Sequence, residues 1–508
     1  MNHGRQARFE ARNRTRRIIV NDDAGELEHP GADTVEGFLE PKLRDLAGTQ
    51  VDTICWSVLS EWGDAPSYDS RVQPVFGDAH DPPPTAGTGL FQKNLRSLID
   101  AALCPLQITI DFAHEHGLEL FASVRMNDVH DGIIESTVRT TWKKSHPELL
   151  IDTDGMLDDK NLYVTAQDYT HPEVRQRKLE IFEEVCERYD VDGFELDFFR
   201  APVFFSPTVR AQPVTQEQIV IMTGFMRRLR EMTEAASVRR QRPILLAACV
   251  PDSFELGLNI GLDVKAWLEE DLVDMLIMGR GYSSFAMSLE NEVELAHRHS
   301  VPVYPCINQK PAGCEVLTAE AGLGCRALAS NWFHQGADGI YIWNLGVPVT
   351  WLTPMKGPQL HDTIAKLNAK LHEIGSPETL AGLDKLFMVE SGQPLHWYAH
   401  ASAPWPLPVR LTHDGVTNVP LEVGDDLKTA EEIELEIRIE GQPGCDGLRL
   451  RLNGEDLGAG TVTGDGMIRY ALQADQMRQG VNLFEAALGS ASIASVELTG
   501  VRLEVRYR

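Results

Sequence analysis

Eight short apolar runs, each followed by a longer stretch with helical spacing, constrain the fold of this chain more than any other feature. The runs are rich in β-branched residues and lie between about residue 17 and residue 375. They are RRIIVNDD (17–24), VDTICWSV (51–58), LELFASVRMND (118–128), VDGFELDFF (191–199), PILLAACVP (243–251), VDMLIMGRG (273–281), VPVYPCINQ (301–309) and ADGIYIWNLG (337–346). Eight strands alternating with helices predict an α/β fold, a closed (β/α)8 barrel of the TIM type.

The alternative α/β architecture, an open doubly wound sheet, is disfavoured by the turn after the first strand. That turn reads NDDAGELEHPG and lacks the glycine-rich phosphate-binding pattern. After the linker GSPETLAGLDK (375–385), the apolar spacing changes to period two, for example in EEIELEIRIEG. We therefore predict an N-terminal arm (1–16), a catalytic barrel (17–380) and an antiparallel, jelly-roll-like β-sandwich (381–508).

The charge of the chain limits its partners. Asp and Glu total 75 against 47 Lys and Arg, a formal net charge of -28, which opposes binding to nucleic acid or to anionic membranes. The eight cysteines form no CxxC pair, which indicates a reducing compartment. The N-terminus has no apolar signal segment and no run reaches the length of a membrane span. We therefore expect a cytoplasmic protein without a cofactor, and homo-oligomerisation stays open.

Polar residues near the carboxyl ends of the predicted strands mark a candidate site. Because side chains alternate along a strand, Phe194, Leu196 and Phe198 are expected to face the helices, and Glu195 and Asp197 to face the barrel interior. The same alternation, with the loops that follow the strands, places further polar and aromatic residues where such barrels bind ligands. The predicted substrate-binding residues are Asp22, Asp23, Trp56, Arg125, Asn127, Asp128, Arg200, Arg280, Tyr282, Tyr304, Asn308 and Trp343.

Acids, arginines and aromatic rings around one cup favour a carbohydrate over an apolar ligand. Hydroxyl groups need donors and acceptors, and pyranose faces stack on aromatic rings. Arg125 and Arg280 further favour an anionic group such as a uronate or a sulfate, unless they neutralise the two inward acids instead. The structural alternatives that the sequence leaves open are a pairing of Glu195 with Arg125 or Arg200, helix capping by Asp22 or Asp23, and burial of Trp56 in the core.

The segment YDVDGFELDFFRAP (189–202) resembles the fourth-strand segment of the family-10-like bacterial glycoside hydrolases. The eight-strand plan and IYIWNLG in the eighth strand support this resemblance, which implies a TIM-barrel glycosidase with Asp197 at the acid of that segment. The segment is also similar to the D-G-x-D-x-D-x-E signature of family 18 chitinases, but the fourth acidic position is Phe199, so we set that interpretation aside. About the last hundred residues resemble the galactose-binding-like jelly rolls of many glycosidases.

A glycosidase of the usual kind needs two carboxyl groups roughly 5 to 9.5 Å apart. Asp197 is the first candidate, and we expect it to stay ionised beside a neighbouring arginine. For the second we rank Asp252 or Glu255 as the proton donor, with Glu195 binding hydroxyl groups or tuning the pKa of Asp197. The predicted function is hydrolysis of a glycosidic bond in an oligo- or polysaccharide. Two alternatives stay open: a sugar-binding barrel without activity and a metal-dependent barrel hydrolase, although no metal site is predicted.

Overall fold

The eight predicted strands are present and close into a parallel barrel. They are β1 (Ile18–Asp22), β2 (Val51–Ser57), β3 (Glu119–Arg125), β4 (Gly193–Asp197), β5 (Leu245–Val250), β6 (Met275–Met278), β7 (Val303–Ile307) and β8 (Ile340–Ile342). They pair in sequence order, and β8 closes onto β1, which confirms the predicted (β/α)8 barrel. The computed structural model describes residues 3–59, 64–81, 89–133, 138–151, 162–210, 212–279, 285–307, 319–344, 368–389, 391, 404–413, 415–441, 447–463, 467–488 and 496–507.

Helices alternate with the barrel strands after β1, one helix precedes β1, and the long helices pack on the outside of the barrel. They are α1 (His3–Arg12), α2 (Val35–Leu39), α3 (Gly89–Asp100), α4 (Pro105–Glu115), α5 (His130–Ile133), α6 (Thr141–Ser145), α7 (Pro172–Arg188), α8 (Gln216–Arg240), α9 (Phe254–Asn259), α10 (Val264–Glu269), α11 (Glu290–Arg298), α12 (Ala319–His334) and α13 (Pro377–Leu380). Pro172 opens α7, and α8 begins with a capping box between Thr215 and Gln218. Within the described ranges, no helix is both long and apolar enough to cross a membrane.

Alternation along the strands separates an outer core from an inner one. Phe194 packs edge-on against Phe182 of α7, and Phe198 packs against Phe204, so this parity faces the helix layer as predicted. The other parity fills the barrel with a second cluster of buried side chains, which includes Ile19, Cys55, Phe121, Leu245, Cys249, Ile277, Tyr304, Cys306, Tyr341 and Trp343. The barrel interior is therefore packed, and a ligand site has to lie at its rim.

The amino-terminal end of the barrel, here called the base, is covered by α1, where the sequence predicted only an arm. Arg12 pairs with Asp274 at 3.0 Å, and Arg16, just after the helix, pairs with Glu119 at 2.7 Å. Burial opposes the charge of Asp274, but the charges of Arg230 and Arg12 outweigh it and lower the pKa of this carboxyl. The base is thus a structural end in which buried charges are paired.

Two antiparallel sheets follow the barrel and confirm the predicted β-sandwich. Their strands are β9 (Lys385–Val389), β10 (Val409–Arg410), β11 (Thr417–Val423), β12 (Glu432–Glu440), β13 (Leu448–Leu452), β14 (Glu455–Asp456), β15 (Thr461–Val462), β16 (Met467–Ala471), β17 (Gly480–Leu488) and β18 (Glu497–Arg506). One sheet has the order β10-β18-β12-β16-β15, with β9 also on β18, and the other has the order β11-β17-β13-β14. The domain boundary at residue 380 stays a prediction.

The sandwich is fixed to the barrel through helix α12. The Asn331 side chain accepts a hydrogen bond from the Gly424 backbone N–H at 2.6 Å and donates one to the Glu422 carbonyl at 3.2 Å. Gly424 lies so close to α12 that a Cβ atom added there would be 2.3 Å from the Ser330 carbonyl oxygen. One continuous cluster of buried apolar side chains runs from the helix layer of the barrel into both sheets. The two parts therefore share a core.

Candidate active site

The carboxyl end of β4 places two acids inside the barrel, at the end opposite to the base, which we call the mouth. Glu195 and Asp197 are 0% and 1% exposed. Because they are two residues apart on one strand, they lie about 6.6 Å apart along it. The sheet register sets Asp197 between Arg125 of β3 and Cys249 of β5. Hydrogen-bonded strands on both sides hold this position rigidly.

Glu195 is surrounded by neutral hydrogen-bond donors. The Tyr341 hydroxyl donates to its Oε1 at 2.6 Å, the Cys249 thiol donates to Oε1 at 3.0 Å, and the Asn21 amide donates to Oε2 at 3.0 Å. The sequence left open an ion pair of Glu195 with Arg125 or Arg200. In the described part of the chain, Glu195 accepts hydrogen bonds from these neutral donors instead. After burial, the charge of Glu195 is the largest cause that raises the pKa of the Cys249 thiol and of the Tyr341 hydroxyl.

Asp197 combines one satisfied oxygen with one unsatisfied oxygen. Its Oδ1 accepts backbone hydrogen bonds from Phe199 at 3.1 Å and Arg200 at 2.8 Å. Its Oδ2 is buried and has no hydrogen-bond partner among the described residues. Burial and then the charge of Glu195 raise the pKa of Asp197 to about 7, against the opposing charges of Arg125 and Arg200. This is the opposite of the expected ionised carboxylate, because a substantial fraction of Asp197 carries a proton at neutral pH.

The two candidates for a second carboxyl, Asp252 and Glu255, differ in burial. Asp252 follows β5 and is 4% exposed. Burial and then the charges of Asp197, Glu195 and Asp252 raise the pKa of the Cys306 thiol inside the barrel, so all three acids act on the same interior group. Glu255, by contrast, is exposed in the first turn of α9. Asp252 is therefore the better placed partner of Asp197.

A chain of hydrogen-bonded polar side chains follows β3 toward the mouth. Arg125 contacts Asp23 and lies 3.2 Å from Asp128. Asp128 lies 2.8 Å from Nδ1 of His130, whose Nε2 contacts the guanidinium of Arg200. Because a guanidinium only donates, Nε2 is the acceptor and Nδ1 carries the proton, so His130 is neutral. Burial lowers the pKa of His130, as does the Arg200 charge, although Asp128 opposes this. The chain orients Arg200 at the mouth.

Aromatic rings form a wall next to the two acids. Phe199 packs edge-on against Trp343, with ring centroids 6.2 Å apart, and against Tyr341, with centroids 6.4 Å apart. The guanidinium of Arg200 lies 5.5 Å from the centroid of the Trp343 ring. Phe199 continues the inward parity of the two acids, so the position of the fourth acid in the family 18 signature is part of this wall. Phe199 was not predicted as a site residue, although the alternation along β4 is enough to place it here.

Two predicted binding residues lie on the helix side of the barrel instead. Asp22 pairs with Lys42 at 2.8 Å, and burial followed by the charge of Glu26 raises the pKa of Asp22 well above its ordinary value. Trp56 is 0% exposed and packs against Phe38 of α2. Both share their parity with helix-facing residues of their strands. The structure does not bring them to the candidate site.

The remaining predicted residues are scattered or lie outside the described part of the chain. Tyr304 points into the barrel near the base, where it contacts Arg16. Asn127 is buried and ties two loops together, because its amide donates to the carbonyls of Gln167 and Val203 at 2.9 and 2.7 Å. Among the described residues, no group of three or more His, Cys, Asp or Glu is placed to hold a metal ion. Arg280, Tyr282 and Asn308 lie outside the described residues.

Comparisons with known proteins give a structural likeness and no family. No family model and no curated protein match the chain. Alpha-L-fucosidase isoenzyme 2 from Paenibacillus thiaminolyticus has a TM-score of 0.42 at 12% identity, over 70% of this chain and 49% of that one. Chitinase ChiW from Paenibacillus sp. str. FPU-7 has a TM-score of 0.40 at 9% identity, over 96% of this chain and 53% of that one. The GH36 alpha-galactosidase AgaB from Geobacillus stearothermophilus has a TM-score of 0.34 at 12% identity, over 97% of this chain and 56% of that one.

The matched region therefore spans about half the length of each of these three proteins. The resemblance to the family-10-like enzymes stays a prediction. In structure, the chain is similar to glycoside hydrolases of several families, at a level that assigns it to none of them.

Proposed function

We propose that the mouth of the barrel binds a carbohydrate and hydrolyses a glycosidic bond, with Asp197 as the proton donor. The observation that carries this proposal is the state of the Asp197 carboxyl. It is buried, its Oδ2 has no partner among the described residues, and its pKa is about 7. A carboxyl of this kind holds a proton at neutral pH and can give it to the leaving oxygen of a glycoside. Phe199 and Trp343 supply the aromatic surface beside it.

Asp252 is the proposed second carboxyl. As the leaving oxygen takes the proton of Asp197, positive charge develops at the anomeric carbon, and a carboxylate across the bond stabilises that charge or activates water. Glu195 has a different role in this proposal. It is fully buried beneath Asp197, and its charge keeps the proton on Asp197. It is therefore a tuning residue that does not touch the substrate.

The contacts of Arg125 weaken the argument for an anionic substrate. Its guanidinium already contacts the carboxylates of Asp23 and Asp128, so its charge is shared within the protein. The other arginine of that argument, Arg280, lies outside the described residues. We therefore propose a neutral oligo- or polysaccharide as the first substrate class and an acidic one as the second arm of the screen.

The test is a screen for sugar release, followed by three matched variants. The screen pairs neutral and acidic oligosaccharides with activated aryl glycosides of the same sugars. Asp197→Asn should lower kcat/KM by about 1,000-fold on substrates with poor leaving groups and far less on activated ones, because an activated leaving group needs little protonation. Asp252→Asn should lower kcat/KM on substrates with poor leaving groups and on activated substrates alike. Glu255→Gln, an exposed acid three residues away, is the control and should keep the wild-type rates.

The pH profile and two further results decide between the alternatives. We expect kcat/KM to fall above about pH 7, as Asp197 loses its proton. Sugar binding without turnover of any substrate would instead favour the non-catalytic barrel, and activity abolished by EDTA would favour the metal-dependent hydrolase. Wild-type rates of Asp197→Asn on poor leaving groups would disprove the role given to Asp197.

A further inference from the structure

A cleft of about 470 Å³ lies on the outside of the barrel, between α6 with the turn that follows it and the first half of α7. No residue of the candidate active site lines it. One wall carries two aromatic rings, and the other carries polar side chains of α7. The polar and aromatic side chains that line the cleft are Trp142, His146, Glu173, Gln176, Arg177 and Glu180.

Helical spacing explains why the α7 wall is polar. Glu173, Gln176, Arg177 and Glu180 are three or four positions apart, so they fall on one face of the helix. The buried residues of α7, such as Phe182, pack toward the barrel. The polar face is therefore left for the cleft, and it presents two carboxylates, one amide and one guanidinium.

The aromatic wall is built by two residues four positions apart. The rings of Trp142 and His146 stack, with centroids 5.1 Å apart and planes 25° apart. The guanidinium of Arg177 lies 4.6 Å from the centroid of the Trp142 ring and so connects the two walls. Burial lowers the pKa of Arg177 against the opposing charges of Asp64 and Glu180, and among the described residues no ion pair joins Arg177 to an acid. Its N–H groups are therefore not committed to an acid of the protein.

These groups select one class of ligand. Two carboxylates against one guanidinium make the cleft net negative, which disfavours an anion, and an apolar ligand would leave donors and acceptors unpaired. Hydroxyl groups donate to carboxylates and accept from guanidinium and amide groups, and sugar rings pack on aromatic surfaces. We propose that this cleft is a second, non-catalytic binding site for a neutral oligo- or polysaccharide chain.

The same short helix connects the cleft to the candidate active site. Lys143, next to Trp142, points the opposite way and donates to the Asp128 carbonyl at 3.0 Å, with the Asp131 carboxylate 3.3 Å away. A glycan held against Trp142 therefore lies beside the segment that carries Asp128 toward the mouth. This inference rests on the proposed function in that both sites bind the same glycan, but binding at the cleft does not need Asp197.

The experiment is calorimetric titration of the full chain with hexamers of cellulose, xylan, starch and chitin, and with oligogalacturonate as the acidic probe. We expect at least one neutral hexamer to bind, and Trp142→Ala to weaken that binding about tenfold or more. Trp142→Phe keeps an aromatic ring and should retain part of the affinity, which separates loss of the ring from misfolding. Glu180→Gln should weaken binding, and Glu183→Gln, the same change at an exposed position of α7 outside the cleft, should not.

The outcomes separate this site from the mouth. If Asp197→Asn abolishes turnover and the effect of Trp142→Ala on binding persists, both proposals hold. If no substrate is turned over and Trp142→Ala still weakens binding, the binding site in the cleft is supported and the proposed hydrolase activity is wrong. If wild type and Trp142→Ala bind the sugar with equal affinity, the sugar binds elsewhere and the cleft is not the binding site. The absence of binding to every neutral hexamer would also disprove the proposed site. If oligogalacturonate binds more tightly than every neutral hexamer, the proposal of a neutral sugar as the ligand is wrong.

Discussion

The raised pKa of Asp197 couples the proposed chemistry to the stability of the protein. The pKa of this residue is about 7 in the folded chain, against an ordinary value of 3.8. A carboxyl whose pKa is raised on folding holds its proton more tightly in the folded state, so its contribution to stability is complete below about pH 4 and is lost as the pH rises through 7. A difference of about three in pKa between the folded and unfolded states changes the free energy of unfolding by at most about 4 kcal/mol.

Asp197→Asn should therefore stabilise the protein at alkaline pH while it removes activity. An asparagine does not ionise, so the variant avoids the burial of a charge that the wild type suffers above pH 7. Thermal unfolding at pH 5 and pH 8 is the measurement, and the difference in Tm between variant and wild type should be larger at pH 8. Glu255→Gln, at an exposed acid, should show no such pH dependence. A variant with a lower Tm than the wild type at pH 8 would contradict this assignment.

Alternation along β4 is enough to predict that Glu195 and Asp197 point inward, because the side chains of a strand have a strict period of two. The same rule applied to β1 would have set Asp22 with Ile18 and Val20 on the helix side, where the structure has it. The choice of Asp252 over Glu255 and the direction of the Asp197 pKa were not predictable. Both depend on distances and burial between segments that are remote in the sequence.

At the scale of elements, Gly424 packs directly against the backbone of α12, where barrel and sandwich meet. A methyl group at this position would lie 2.3 Å from the Ser330 carbonyl oxygen and 2.5 Å from Asn331 Cα. Both atoms belong to the backbone of α12, so no side chain can move away to make room. The strand β11, which ends at Val423, would have to shift instead.

We expect Gly424→Ala to lower the free energy of unfolding by about 2 kcal/mol or more, since overpacking against backbone forces a rearrangement and strains both Asn331 hydrogen bonds. Gly322→Ala is the matched control, because it lies in α12 with nothing within 4 Å of the added Cβ. It should be neutral or slightly stabilising, as alanine favours helix over glycine. Chemical denaturation of the two variants tests this, and equal stabilities would show that the contact is loose.

Strands were easier to predict than their supporting elements. The eight barrel strands are short apolar runs whose pattern is local, and all eight appear within the predicted runs. The helix α1 was predicted as an arm because its partners, Asp271 and Asp274, are more than 250 residues away in the sequence. A basic amphipathic segment looks the same whether it is solvated or paired with distant acids.

At the scale of the whole molecule, barrel and sandwich should unfold together. One continuous cluster of buried apolar side chains spans the helix layer of the barrel and both sheets, so neither part can lose its packing alone. We expect a single transition in scanning calorimetry of the full chain, with similar calorimetric and van't Hoff enthalpies. Two resolved transitions would mean that the parts are stable separately.

The sequence predicted the presence of both parts from the change in apolar period near residue 380, but it held no signal for their shared core. Contacts such as that of Asn331 with Gly424 join residues about ninety positions apart and leave no local pattern. Composition and charge limited the partners of the chain and could not indicate how its parts are packed.

The covered base has a kinetic consequence. Because α1 and its paired arginines cover one end of the barrel and packed side chains fill the interior, a glycan cannot thread through the molecule. Under the proposed function, substrate and product would then use the same end of the barrel, the mouth, as far as the described residues show. In the proposed hydrolysis, a polymer is therefore bound by one end or across the rim, and each product leaves before the next substrate binds.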